Sequence, residues 1–422
     1  MINPSNMRVV DVARLLNSTS FGFVLPQARL YREFNRVGFR IGSSENPRNI
    51  NLLKYIAWMF DRKHTPEETS GARSYEDRRN AERDRQAEQS LAGRDIGPLP
   101  EVVNPNRKAA CERNFQLFCE SYFPETYSLA WSPDHLKVIE KIETAVLRGG
   151  LFALALPRGS GKTTITESAA LWSMLYGHRE FVVLIGATES AALELLDSLK
   201  TELEVNERLA EDFPEVCYPV AQLEGIANRC AGQLYKGERT RITWTSNEIV
   251  LPTVEGSRAS GIIVRVAGIT GRIRGMKFKR SDGRSVRPSL VVIDDPQTSE
   301  SAGSLEQTRK RVRVLAGDIL GLAGPGQKIS GIMPCTIIRP GDMADIILNR
   351  NTHPDWNGEK TRMVYRFPTN MKLWEEYAEI RAEALRTEGN FQKATEFYLA
   401  NREAMDAGAE VSWEARFNHD EV

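Results

Sequence analysis

The chain of 422 residues, 41% hydrophobic and 27% charged, is too long for one ordinary domain and suits two or three, with at least one large core. Lysine plus arginine and aspartate plus glutamate both number 56, so the whole-chain balance neither argues for nor excludes a polyanionic partner, and local charge must decide. Five cysteines, odd in number and without a CxxC pair, argue for reduced thiols over a disulfide framework, and the five histidines do not cluster with them as structural zinc would need.

The amino terminus, MINPSNMRVVDVARLLN, has neither a long apolar core nor a small-residue cleavage site, and no later stretch reaches the roughly 18 to 20 apolar residues of a membrane helix. A soluble, intracellular protein without a membrane partner is expected. Residues 1–62 read as a small helical domain of helix-turn-helix-like pattern. Val9 to Leu16 has helical spacing, Asn17 to Gly22 reads as a turn, and Pro26 to Val37 forms a second helix closed by Gly38. On that helix Arg29, Arg32 and Arg36 share one face while Leu30, Phe34 and Val37 share another. The arginine face suits the phosphates of duplex DNA, or equally the solvated outside of a helical bundle. Asn51 to Phe60 supplies an amphipathic helix in which Trp58 reads as core. Residues 63–105 are dense in charge and poor in large apolar groups, as in SYEDRRNAERDRQAEQSLAGRD, and read as a linker or a solvated helix without chemistry of its own.

From residue 106 to about 400 strands and helices alternate, which predicts an α/β fold with a mainly parallel sheet and crossover helices. Leu151 to Leu156 reads as a buried strand, Pro157 to Gly161 as a tight turn, and Lys162 to Tyr176 as a helix. That order is a phosphate loop, where backbone N–H groups and a helix amino terminus cradle phosphate oxygens. It makes Pro157, Arg158, Gly159, Ser160, Gly161, Lys162, Thr163 and Thr164 the candidate ATP contacts, with Leu156 standing where the usual pattern has glycine. Lys162 would reach the β and γ phosphates, and Thr163 would ligate Mg2+. Further on, Ser289 to Ile293 is a β-branched apolar run delivering Asp294 and Asp295. Asp294 suits magnesium and Asp295 the attacking water, with Glu300 as a fallback base.

With these motifs in place, the stretch from about Asn114 to Phe417 resembles the large subunit of tailed-phage and prophage terminases. PRGSGKTT is similar to that family's phosphate loop, which carries an additional arginine, here Arg158. VVLIGATESAALELLDSLKTELEVNERLAEDFPE is similar to its second block. ITGRIRGMKFK resembles its Arg-Gly element and implies Arg274 as the arginine acting on the γ phosphate, with Arg272 a rival and a basic loop facing DNA the other reading. KISGIMPCTIIRPGDMADIIL resembles the coupling motif, with Thr336 as the phosphate-sensing hydroxyl and Asp342 opening the next helix. LAWSPDHLKVIEKI stands where the family contacts adenine and offers Trp131 and His135, which a buried aromatic and a helix cap would also explain. The resemblance implies a P-loop NTPase of the ASCE type that hydrolyses ATP with Mg2+ and translocates double-stranded DNA. Its partners would be a portal or procapsid and a small terminase subunit, in a homo-oligomeric ring and in the host cell cytoplasm. Residues 401–422 resemble the connection towards the family's nuclease domain, and no nuclease activity is expected from this chain. The alternatives are a helicase-like DNA motor and a nucleotide-switched DNA-binding assembly adaptor.

Overall fold

Met7–Arg8 (β1) pairs antiparallel with Asn49–Ile50 (β2), and among the described residues between and just beyond them lie the helices Val9–Asn17 (α1), Gln27–Ile41 (α2) and Leu52–His64 (α3). The structure, a computed structural model, describes residues 3–18, 27–64, 94–271, 273–280, 282–324 and 326–416. It divides into two compact units, Met1–Arg85 and Gln86–Val422. In the first, Met7, Val9, Val12, Ala13, Leu30, Ile41, Ile50 and Tyr55 are buried together, and Trp58 packs against them with its ring 6.0 Å from that of Tyr55. The helix expected to stop at Gly38 continues to Ile41, with a local break at Val37 (φ −130°, ψ 23°). Ile41 is fully buried, and burying an isoleucine side chain, worth about 1.5–3 kcal/mol, outweighs the roughly 1 kcal/mol cost of a helical glycine. Of the expected turn, only Asn17 and Ser18 lie inside the described residues.

The second unit begins in the stretch that composition groups with the linker. Ile96 N–H donates to the Leu234 carbonyl, Val103 N–H to that of Glu211, and Asn104 N–H to the Asp212 carboxylate, so residues 94–104 are anchored to the unit that follows. The helices Pro105–Cys111 (α4), Phe115–Tyr122 (α5) and Pro133–Leu147 (α6) come next, capped by the side chains of Asn104, Asn114 and Ser132 respectively. Then follow Leu151–Ala155 (β3), Lys162–Leu175 (α7), Phe181–Gly186 (β4), Glu189–Val205 (α8), Glu207–Asp212 (α9) and Pro214–Ala221 (α10). A run of short strands comes after, Leu234–Tyr235 (β5), Glu238–Arg239 (β6), Thr243–Trp244 (β7) and Glu248–Val250 (β8), and leads to Ile263–Gly268 (β9). Phe278–Lys279 (β10) and Ser285–Val286 (β11) form a hairpin before Leu290–Asp294 (β12), Ser299–Ala302 (α11) and Leu305–Val314 (α12). The chain continues through Ser330–Cys335 (β13), Met343–Ile347 (α13), Glu359–Lys360 (β14) and Val364–Arg366 (β15) to a helical hairpin, Met371–Thr387 (α14) and Gln392–Asp406 (α15). Glu410–Val411 (β16) returns antiparallel to β15.

Eight strands make one sheet in the order β14, β3, β13, β12, β4, β9, β8, β7. The first six are mutually parallel, and β8 and β7 extend the edge antiparallel. The fold is therefore mixed α/β with a large, mainly parallel sheet. Successive side chains of a strand face opposite ways, so Phe152, Leu154, Val182 and Leu184 enter one core with α5 to α8, while Ala153, Phe181, Val183 and Ile185 enter a second with Leu315, Met343 and Trp356. Burial on both faces explains why β4, FVVLIG, reads as a continuous apolar run. It also aligns the carboxyl ends of β3, β13 and β12 side by side, where ligands of open parallel sheets bind.

Candidate active site

Leaving β3, the chain turns at residues 157–161. Leu156, at the position of the usual glycine, is buried and donates its N–H to the Cys335 carbonyl, so it extends the strand and requires no positive φ. The left-handed positions fall instead on Gly159 (φ 78°) and Gly161 (φ 71°), where a side chain would be strained. Ser160 is buried and its hydroxyl donates to the Pro157 carbonyl at 2.8 Å, closing the turn. Gly161 caps α7 without any side-chain hydrogen bond, so the first N–H groups of this 14-residue helix are left for a ligand.

Three strand ends then converge. Lys162 Nζ donates to Thr336 Oγ1 at 2.7 Å and lies 3.1 Å from Asp295 Oδ2, while the Thr336 hydroxyl is 3.5 Å from the same carboxylate. Thr163 Oγ1 donates to Asp294, 3.1 and 3.3 Å from its two oxygens. Asp295 has φ 35° and its N–H is held by the Pro334 carbonyl at 3.1 Å. This left-handed conformation, tolerated by aspartate and asparagine, turns the carboxylate out of the strand towards Lys162. Asp342 is fully buried and caps α13, accepting from the Ile338, Arg339 and Asp345 N–H groups. It fixes the turn that follows Thr336.

Thr163 and Asp294 are an all-oxygen donor pair, which fits magnesium carried in with phosphates, since that ion needs only one or two protein ligands. Among the described residues no group of three His, Cys, Asp or Glu stands ready to hold a metal alone. Burial, with the charge of Asp295 adding to it, raises the Asp294 carboxyl from 3.8 to about 6, against the hydrogen bond from Thr163. A raised carboxyl favours the folded protein while protonated. The stabilisation is complete below pH 3.8 and is lost as the pH rises through about 6, where the ionised group costs up to about 3 kcal/mol. Asp294→Asn should therefore raise the melting temperature of the nucleotide-free, chelator-treated protein at pH 8 and change it little at pH 4. An equal loss of stability at both pH values would show that Asp294 is held by its hydrogen bonds and carries no such strain.

Other candidates are placed less centrally. Arg158 is exposed at the tip of the loop, with no ion pair among the described residues, and Thr164 lends its carbonyl to the Tyr127 hydroxyl at 3.1 Å. Glu300 is exposed on α11. Arg274 lies beyond β9, two strands from β12, with its side chain 81% exposed and paired with Asp318; the geometry does not bring it to Lys162. Arg272 lies outside the described residues. Both ring nitrogens of His135 are engaged, Nδ1 with the Ser132 hydroxyl at 2.9 Å and Nε2 with the Ser160 carbonyl at 3.0 Å, while Trp131 Nε1 donates to Glu120 at 2.8 Å. His135 is thus a helix cap that also braces the turn between β3 and α7. In the first unit Arg32 is exposed, and the side chains of Arg29 and Arg36 lie outside the described residues.

Two neighbours of the site escaped the sequence reading. Glu167 lies one helical turn beyond Thr163, and burial first, then the charges of Asp294 and Glu202, raise its carboxyl to about 7 against a hydrogen bond from Ser198. The i+4 spacing from Thr163 was the available signal. Trp413 has no such signal, being 278 positions from His135, yet its ring stands 4.5 Å from the imidazole and its Nε1 donates to the Ala130 carbonyl at 2.7 Å. The segment around Trp413 thereby reaches the helix end that supports the turn between β3 and α7. No protein-family model matches the chain, and no curated protein matches it.

Proposed function

We propose that this chain is the ATP-hydrolysing motor of a viral DNA-packaging terminase, the large subunit that drives double-stranded DNA into a procapsid. The observation that carries the reading is the meeting of Lys162, Thr336 and Asp295 on one side with Thr163 and Asp294 on the other, at the mouth of an uncapped helix. The phosphate loop would hold ATP, with Lys162 leaving Asp295 for the γ phosphate and freeing that carboxylate to orient and deprotonate water. Magnesium, held by Thr163 and Asp294, would neutralise phosphate charge. Thr336, hydrogen-bonded to Lys162, would register loss of the γ phosphate. β13, inserted between the loop strand and the acidic strand, supports the ASCE type. Arg158 would act within the subunit and the exposed Arg274 on the nucleotide of a ring neighbour.

The amino-terminal helices are read as a helix-turn-helix module meeting DNA through the face of Arg29, Arg32 and Arg36. Portal, procapsid and small subunit are the proposed partners, and the host cytoplasm the site of action. Multiple-turnover phosphate release by the whole chain tests the reading. Turnover stimulated by duplex DNA supports a motor; tight ATP binding without turnover replaces it with a nucleotide-operated switch.

A further inference from the structure

The hairpin β10–β11 is not used by the nucleotide site. Arg280, just past the end of β10, donates from Nη2 to the Gly261 carbonyl at 3.2 Å and lies 3.8 Å from Glu180. Gly261 and Glu180 sit just before β9 and β4, at the amino ends of the parallel strands. The hairpin therefore borders the end of the sheet opposite the phosphate loop, roughly 20 Å away at about 3.3 Å per strand residue. There it lines an open cleft of about 470 Å³ with Arg241, Lys279, Arg280 and Arg284, and among the described residues the lining has one carboxylate, Asp282, with Glu180 close behind Arg280. On a chain of zero net charge, four cations beside two acids, Asp282 and Glu180, are a local excess of positive charge.

Three of these cations are available to a ligand. Arg241 and Lys279 are exposed and have no ion pair among the described residues. Among the described residues Arg284 is paired with Asp282, at 2.8 Å and with the two side chains 66% and 46% exposed, a weak surface contact that a phosphate can replace. Arg280 is largely buried, held by the Gly261 carbonyl and beside Glu180, so it braces the hairpin and leaves the exposed cations to meet a ligand. Two of the three exposed cations, Arg241 and Arg284, are guanidinium groups, whose fork matches phosphate oxygens. Among the described residues the apolar side chains of the lining are Val250 and Phe278. Phe278 already carries the Arg265 guanidinium on its ring, which leaves neither a pocket to anchor a peptide side chain nor a free platform for an unstacked base.

We propose that this cleft binds the phosphate backbone of duplex DNA, at the end of the sheet remote from ATP. The assignment rests on the motor reading above and gives that motor a DNA track separated from its nucleotide site. The cations are spread over an open surface, which suits successive phosphates better than one enclosed anion.

The test uses the full chain, without nucleotide, and a fluorescein-labelled 30-base-pair duplex followed by anisotropy across a salt series. The triple variant R241E, K279E, R284E should weaken binding at least tenfold at low salt. It should also lower the slope of log affinity against log salt by about 2 to 3, at about 0.9 for each phosphate no longer neutralised. Its melting temperature and DNA-independent ATP hydrolysis should be unchanged, while stimulation by DNA disappears. If the triple variant does not fold, Lys279→Glu alone carries the test, with an expected loss of about threefold. Unaltered affinity and slope in a folded variant would overturn the proposal. So would full displacement of the duplex by low millimolar inorganic phosphate, which would mark the cleft as a site for a free anion. Wild-type protein that binds DNA through these residues but never hydrolyses ATP would sink the motor reading and leave the cleft standing.

Discussion

Lys162→Ala should lower magnesium-dependent ATP hydrolysis by two to three orders of magnitude or more, the range about 10²–10³ that follows removal of one preorganised charge-stabilising donor, and should weaken nucleotide binding as well. The ammonium group is only 11% exposed and bridges Thr336 and Asp295. Without it, Asp294 and Asp295 face each other uncompensated, and the γ phosphate meets two carboxylates in place of a cation. The melting temperature checks that the variant folds. Hydrolysis within twofold of wild type in a folded protein would remove Lys162, and with it the phosphate loop, from the mechanism.

Asp295→Asn should separate chemistry from binding. Asparagine keeps the size and, like aspartate, tolerates the left-handed backbone at φ 35°, so the N–H contact to Pro334 and the shape of the strand end survive. The amide cannot take a proton from water. kcat should fall by about 10²–10⁴, the usual worth of a general base, while ATP affinity stays within a few-fold, in contrast to Lys162→Ala. Full turnover in Asp295→Asn together with loss in Glu300→Gln would move the base to α11. A collapse of ATP affinity with turnover preserved would make Asp295 a binding group.

The parts of this site that can be read from the sequence are those made by neighbours along the chain. Residues 151–163 declare strand, turn and helix because apolar run, glycines and helical spacing follow one another, and Asp294 and Asp295 stand out because a β-branched run ends on them. The join between these segments leaves no local trace. That β13 lies between β3 and β12, which brings Thr336 to Lys162 across 174 positions, depends on strand order, and strand order is decided by which buried faces pack best. The bracing of Ser160 by His135 and the approach of Trp413 are likewise contacts between distant segments. Residues 94–104 looked like linker because few large apolar groups occur there, yet backbone hydrogen bonds to Leu234 and Glu211 hold them. Gly38 misled in the opposite sense, since the buried Ile41 beyond it pulled the helix onward.

Multiple-turnover phosphate release by the purified full chain, at neutral pH with ATP and with magnesium present or chelated, tests the central claim most directly. The account predicts linear release well beyond one phosphate per chain that stops on chelation, rises with added duplex DNA and is absent in Lys162→Ala. Release that ends at or below one phosphate per chain while ATP remains bound, in wild-type protein supplied with magnesium and duplex DNA, would contradict it.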